Sequence, residues 1–171
     1  MTPKSFGKSI KASELPAGIA RFFPVRTKER GEGVRAELLM QVLEGVLEKL
    51  RGLVQAVERT EMRMIGGSAL IVWEGDEKVL EGALEGTEAG LAGEEESDGS
   101  GSSVGGEVEG VSRSSGGGPP FVVRLIDFAH TRGVPGEGPD VGVLQGLRTT
   151  IHLVQGRIEE VKLALSLYNP L

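Results

Sequence analysis

The segment Leu125–Thr131 (LIDFAHT) contains the residues of this chain whose types and spacing best suit chemistry. It places a carboxylate, Asp127, at the end of an apolar, β-rich run, followed by an aromatic residue and then by His130. Strand ends that lead into loops are common positions for functional side chains. Phosphoryl transfer from ATP requires a carboxylate at such a point, because Mg²⁺ needs hard oxygen ligands while it is held against the phosphates. Asp127 has the right type and placement for that role.

A structural interpretation of the same segment is also open. Asp127 could end the strand and cap a turn, with His130 only forming part of that turn. Spacing by itself does not decide between the two interpretations.

Three other signals in the sequence are weaker. Gly31–Ala36 has the form GxGxxA, but the preceding PVRTKER is not a strand pattern, which argues against dinucleotide binding. The acidic run Glu94–Asp98 could bind cations or a basic partner protein, although a solvated linker explains it more simply. His152 lies in a helical pattern and is better explained as a packed or exposed helix residue than as a ligand.

Composition limits the classes of protein that this chain can be. Its 171 residues, 39% of them apolar, suffice for one domain with a core. A net charge of −6 argues against broad binding to nucleic acid or anionic membranes, and no apolar run approaches the roughly 18 residues that span a bilayer. With no cysteine and two histidines, disulfides and a structural zinc site are not expected. We expect an intracellular protein of the cytoplasm, the nucleus or both.

Helices and strands that could position Asp127 follow from hydrophobic periodicity. Apolar residues at steps of three and four predict a helix over Val34–Glu61, and a second long helix follows Asp140 as a candidate N-cap. Met64–Trp73 predicts a largely buried strand, and Phe121–Phe128 predicts another. We expect these two strands to pair as a hairpin within an α+β domain.

A long segment between the two strands has no hydrophobic period. Residues 77–119 pass from glutamate-rich to Gly/Ser-rich sequence, apart from a possible short helix over Val79–Leu84. The sequence therefore predicts one domain formed by residues 1–76 and 120–168, interrupted by a disordered and dispensable insertion at 77–119.

Four segments, in order, resemble the inositol polyphosphate kinases, and most closely the fungal multikinases. Phe6–Phe23 resembles that family's Tyr-Gly-Lys/Arg-Ser stretch, and Gly67–Leu70 resembles its Ser-Ser-Leu-Leu strand. Ile126–Thr131 (IDFAHT) matches the family's metal-binding motif residue for residue, and Asp140–Leu147 resembles its Asp-x-Gly-Tyr-x-x-Gly-Leu helix entry. Mild departures lie at Phe6, Gly67, Ala69, Trp73 and Val143.

The resemblance implies the carboxyl-terminal lobe of a protein-kinase-like fold, with two strands flanked by two long helices. It implies transfer of the γ-phosphate of ATP to inositol phosphates, with Mg²⁺ as cofactor. By resemblance, Asp127 and Ser68 hold the metal and the nucleotide, and His130 faces the substrate phosphates.

One family motif, Pro-x-x-x-Asp-x-Lys-x-Gly, is not found in these 171 residues, nor are the lysine and hinge that hold ATP. We therefore expect a fragment that has little activity by itself. The alternative is a noncatalytic, kinase-derived module that binds a partner protein, for example through the acidic insertion.

Overall fold

The computed structural model describes Phe6 and residues 9–27, 31–91 and 118–168 of the chain. In chain order, its longer elements are helix α1 (Leu15–Phe22), helix α2 (Ala36–Glu58), strand β1 (Met62–Met64), strand β2 (Ser68–Trp73), helix α3 (Glu77–Leu91), strand β3 (Phe121–Ile126), strand β4 (Thr131–Gly133) and helix α4 (Val141–Tyr168). Short 3₁₀ turns lie at Ala12–Glu14 and Phe128–His130. The expected α+β class is confirmed.

Helices α2 and α4 pack together and form most of the core. On α2, Leu39, Leu43, Val46 and Leu50 are fully buried, and their spacing places them on one face of the helix. The matching face of α4 contributes the buried residues Leu144, Leu147, Val154, Ile158 and Val161. Both predicted long helices are therefore confirmed.

The predicted hairpin is also confirmed. Strand β2 pairs antiparallel with β3, from Ser68 opposite Ile126 to Trp73 opposite Phe121. Ile71, Trp73 and Phe121 pack against the helical core. Gly45 of α2 allows this close contact, since a Cβ atom there would overlap the Phe121 ring. A two-stranded hairpin is marginal in water by itself, so this packing stabilises it.

The outer face of β2 differs from the prediction of a largely buried strand. Leu70 is 40% exposed and Val72 is 51% exposed. A run of apolar residues usually indicates a strand covered on both faces. Within the described part of the chain, only one face of this hairpin is covered by helices, and the prediction was wrong for the other face.

Each predicted strand is interrupted, so that the hairpin becomes two ladders. Residues Ile65–Gly67 separate β1 from β2, and Asp127–His130 separate β3 from β4. Beyond the interruption, β1 pairs antiparallel with β4, with Met64 opposite Thr131. The two interruptions therefore lie between the two ladders.

Helix α3 corrects the prediction that disorder begins at residue 77. Leu80 on α3 is fully buried in the core, and Leu84 packs beside it. The carboxylate of Glu77 lies 3.1 Å from the guanidinium groups of both Arg26 and Arg35 and accepts a hydrogen bond from the Arg35 backbone N–H. The sequence indicated only a possible short helix over Val79–Leu84, because these partners, which hold the first turn of the longer helix, are distant in sequence. The predicted insertion from residue 92 to 117 lies outside the described residues.

The amino-terminal segment is fastened to both the hairpin and α4. The 3₁₀ turn at Ala12–Glu14 leads directly into α1, which ends at Phe22. The Trp73 indole donates a hydrogen bond of 3.1 Å to the Phe22 carbonyl. The Phe23 carbonyl accepts from Nε and Nη2 of Arg157, at 3.1 and 2.9 Å. In the ranges that the structure describes, no helix is both long and apolar enough to cross a membrane.

Replacing Leu80 by Ala tests whether α3 is docked on the core. We expect Leu80→Ala to lower the free energy of unfolding by about 2 to 5 kcal/mol, because the buried side chain would leave a cavity. The neighbouring Val79, 46% exposed, provides the control, and Val79→Ala should change it by less than about 0.5 kcal/mol. Urea denaturation measures both values, and equal effects would contradict the docking of α3.

Candidate active site

Asp127 lies at the point where β3 ends and the hairpin is interrupted. Its φ angle is 68°, in the left-handed region that few residues other than glycine adopt, although aspartate tolerates it. The residue is exposed and makes no side-chain capping bond to the 3₁₀ turn that follows. The capping alternative considered from sequence is therefore not what the carboxylate does. Uncommon backbone conformations of this kind cluster at functional sites.

The structure brings the three sequence-predicted site residues to the same end of the hairpin. Ser68, the first residue of β2, is exposed and pairs with Ile126, the residue before Asp127. His130 is exposed at the end of the 3₁₀ turn, and its carbonyl accepts a hydrogen bond of 3.3 Å from the Ile65 N–H. Gly66 has a φ angle of 73°, which allows the Ile65–Gly67 segment, opposite Asp127–His130, to turn between β1 and β2.

The oxygen donors at this point suit a metal that also binds phosphates. In the described part of the chain, no three His, Cys, Asp or Glu side chains are grouped so that they could hold a metal by themselves. Mg²⁺ is commonly bound through one or two carboxylates, with substrate phosphates and water completing its shell. The Asp127 carboxylate and the Ser68 hydroxyl are both oxygen donors of the type that Mg²⁺ prefers.

A second carboxylate, Asp140, is buried nearby and has a different environment. Its Oδ1 accepts from the N–H groups of Gly142 and Val143 at 3.0 and 3.1 Å, which confirms the predicted N-cap of α4. Its Oδ2 accepts a hydrogen bond of 2.8 Å from the Met64 N–H at the end of β1. This bond to Met64, the bonds from Val143 and Gly142, and the Arg63 charge hold the pKa of Asp140 below its ordinary value, although burial raises it.

The loop between β4 and α4 is fastened to β1 by two side chains that sequence reasoning missed. Glu61 accepts from the N–H groups of Gly136 and Gly138 at 2.8 and 3.3 Å. Arg63 donates to the carbonyls of Glu137 and Gly138, each at 2.9 Å. These partners are more than seventy residues apart in sequence, so no local pattern indicated them.

A cleft of about 360 Å³ lies between the start of β2 and the first turns of α4. Ser68 and Asp140 both line it, together with Gly67, Val143 and Thr150. The buried Asp140 carboxylate and Ser68 therefore line the same cleft, whereas Asp127 and His130 are not among its lining residues. That volume lies at the lower end of the range typical of small-molecule sites.

The weaker sequence candidates take other places in the fold. Gly33, within the GxGxxA segment, has a φ angle of 103°, and a Cβ atom there would come within 2.6 Å of the Pro24 carbonyl oxygen. This close approach accompanies a bridge between Val25 and Val34 and explains the glycine without a dinucleotide. His152 is exposed on α4. The acidic run Glu94–Asp98 lies outside the described residues.

Comparison with known proteins assigns the family. The family described as inositol polyphosphate kinase matches residues 1–155. The chain belongs to this family. A comparison with curated proteins gives no match.

One solved structure with a similar fold is the inositol phosphate multikinase Ipk2 of S. cerevisiae in complex with ADP and Mn²⁺. Its sequence is 23% identical to this chain, the TM-score is 0.55, and the match covers 89% of this chain and 49% of that one. The expected relation to the kinase-like fold of this family is therefore confirmed. The chain spans about half the length of the yeast chain.

The lowered pKa of Asp140 has a measurable consequence for stability. Asp140→Ala should lower the free energy of unfolding at neutral pH by about 2 to 4 kcal/mol, because the α4 cap and the Met64 N–H both lose their acceptor. The contribution of the ionised carboxylate is present in full above its unfolded-state pKa near 4. It is lost as the pH falls through the lower folded-state pKa.

Urea denaturation at a series of pH values measures this effect. The difference between the unaltered chain and Asp140→Ala should shrink as the pH falls below about 4. A difference that stayed constant from pH 7 to pH 2 would contradict a lowered pKa for Asp140.

Proposed function

We propose that this chain carries part of the phosphoryl-transfer site of an ATP-dependent inositol polyphosphate kinase. The observation that carries the proposal is the backbone and side-chain state of Asp127. In this member of the family, Asp127 lies between the two ladders with a backbone φ of 68°. Its carboxylate is exposed and makes no capping hydrogen bond to the turn that follows, so its oxygens are available to a ligand.

In this proposal, Asp127 and Ser68 hold a divalent cation, Mg²⁺ under cellular conditions. Both supply hard oxygen atoms, and pairing of Ser68 with Ile126 fixes the start of β2 beside the Asp127 backbone. The cation, when bound, would neutralise charge on the ATP phosphates during transfer. The chain's own contribution is to hold the two oxygen donors in place before the nucleotide arrives.

His130 has the role of contacting the phosphate groups of the inositol substrate. It is exposed on the same turn as Asp127, and its backbone is fixed by the bond from Ile65. An imidazole in this position can donate a hydrogen bond to an anionic phosphate oxygen. The similar yeast protein carries its nucleotide as ADP with Mn²⁺, which is compatible with this assignment of substrates.

A second candidate function is a noncatalytic module that binds a partner protein. The exposed apolar face of the hairpin, with Leu70 and Val72, is the observation that favours it. Apolar faces of this kind are common where another surface binds. Mn²⁺ binding at Asp127, tested next, separates the two candidates, because only the first requires a cation there.

The first experiment tests the cation site directly. We expect the chain to bind Mn²⁺ weakly, and Asp127→Asn to reduce that affinity at least tenfold, because a neutral amide replaces the anionic donor. Glu48→Gln, which removes one exposed carboxylate on α2, is the matched control and should have no effect. Mn²⁺ binding can be followed by electron paramagnetic resonance. Equal affinities for the unaltered chain and Asp127→Asn would remove Asp127 from the site.

The second experiment tests whether residues 1–171 suffice for transfer. We expect no labelled product above the Asp127→Asn background when the chain is incubated with labelled ATP, Mg²⁺ and mixed inositol phosphates. The Pro-x-x-x-Asp-x-Lys-x-Gly motif is not among these residues, and alignment of reactants can account for about 7 to 11 kcal/mol of barrier lowering. Robust turnover would show that these residues suffice. Its absence from a folded sample, while a longer form carrying that motif transfers phosphate, would confirm the expectation.

A further inference from the structure

We propose that Asp140 is a positioning residue for the phosphoryl-transfer site, and that it acts through the backbone of Met64. This inference rests on the proposed function for its consequence in metal binding. Its structural basis is that the two oxygens of the buried Asp140 carboxylate bind different elements, Oδ1 the first turn of α4 and Oδ2 the end of β1.

A helix N-cap needs only one side-chain oxygen, and Asp140 uses both. Oδ1 alone accepts the two N–H groups of the first turn of α4, from Gly142 and Val143. Oδ2 is therefore free to accept the Met64 N–H, and that bond, at 2.8 Å, is the shortest of the three. Asp140 is only 8% exposed, so water competes little for these bonds. The carboxylate thus joins the end of β1 to α4, one of the two helices that form most of the core.

Met64 is the point from which this anchorage can reach both sides of the candidate site. On one side, Met64 pairs with Thr131 in the β1–β4 ladder, and Thr131 is the residue that follows His130. On the other side its side chain lies against Gly67, because a Cβ atom at Gly67 would overlap Sδ and Cγ of Met64. Gly67 directly precedes Ser68. Fixing Met64 therefore fixes the backbone beside His130 and the backbone before Ser68.

The interruption of the hairpin makes such an anchor necessary. Residues Ile65–Gly67 and Asp127–His130 belong to neither ladder, and both ladders have only two strands. The single backbone bond between the two segments that the structure describes at this level runs from the Ile65 N–H to the His130 carbonyl, at 3.3 Å. Two-stranded ladders are marginally stable by themselves. The positions of the two interrupting segments therefore depend on contacts with the helices.

The loop that leads to Asp140 is itself held in place. Glu61, the residue before β1, accepts a hydrogen bond from the Gly136 N–H. Arg63, within β1, donates hydrogen bonds to the carbonyls of Glu137 and Gly138. These bonds hold the loop, and with it Asp140, in position next to Met64. A residue that served only as a helix cap would need neither this loop geometry nor the bond to Met64.

Two substitutions separate the cap from the bond to Met64. Asp140→Ser keeps a good N-cap with its single hydroxyl, but it has no second oxygen for the Met64 N–H. Asp140→Asn keeps the capping carbonyl and turns an NH₂ group toward the same N–H. Asp76→Ser is the matched control, because Asp76 also caps a helix, through Lys78 and Val79, and loses the same charge.

Amide hydrogen exchange tests the positioning role without any metal. In Asp140→Ser and Asp140→Asn, we expect exchange of the Ile65 N–H to accelerate at least tenfold, while the buried middle of α4 keeps its protection. Asp76→Ser should leave Ile65 unchanged. If exchange at Ile65 is unchanged in both Asp140 variants, the proposal is overturned, whatever the chain binds.

Mn²⁺ affinity, measured at a temperature where every variant is folded, tests the consequence for the site. We expect both Asp140 variants to weaken Mn²⁺ binding at least fivefold, and Asp76→Ser to change it less than twofold. Unaltered affinity in both variants would overturn the positioning role while Asp127 remains a ligand. If Asp127→Asn binds Mn²⁺ as the unaltered chain does, the metal site of the proposed function fails instead, and hydrogen exchange still decides the role of Asp140.

Discussion

Two antiparallel ladders, β2–β3 and β1–β4, have to be held end to end against the helices, because neither is stable by itself. Packing of Phe121 against Gly45 of α2, and of Trp73 against Phe23 in the core, holds the first ladder. The bond from the Met64 N–H to Asp140 holds the second to α4. The segments that interrupt the ladders, with positive φ angles at Gly66 and Asp127, lie between two fastened ladders.

Asp127 and Asp140 show how the same side chain takes two roles in two environments. Asp140 is buried and accepts three backbone hydrogen bonds, so its charge is stabilised and used for structure. Asp127 is exposed and makes no capping bond, so its charge remains available to a ligand. A candidate site of this kind needs both. The free carboxylate can bind a cation in a defined geometry only if the paired one holds the surrounding backbone.

The chain belongs to the inositol polyphosphate kinase family and is similar in fold to a yeast multikinase. In our proposal, the chain supplies the oxygen donors for a metal and one contact to substrate phosphates. The chain spans about half the length of the yeast protein.

The sequence by itself determined the two long helices, the pairing of the two apolar strands, the N-cap at Asp140 and the motif around Asp127. These features depend on residues close together in the chain, through helical periodicity, β-rich composition and a cap that contacts the next two or three residues. Only the tertiary structure decided that the strands are interrupted, that Glu77–Leu91 is a docked helix, and that Asp140 also binds Met64. Those features depend on partners such as Arg35 with Glu77, or Met64 with Asp140, that are 42 and 76 residues apart. Local propensity does not predict such pairs, because they form only when the helices pack.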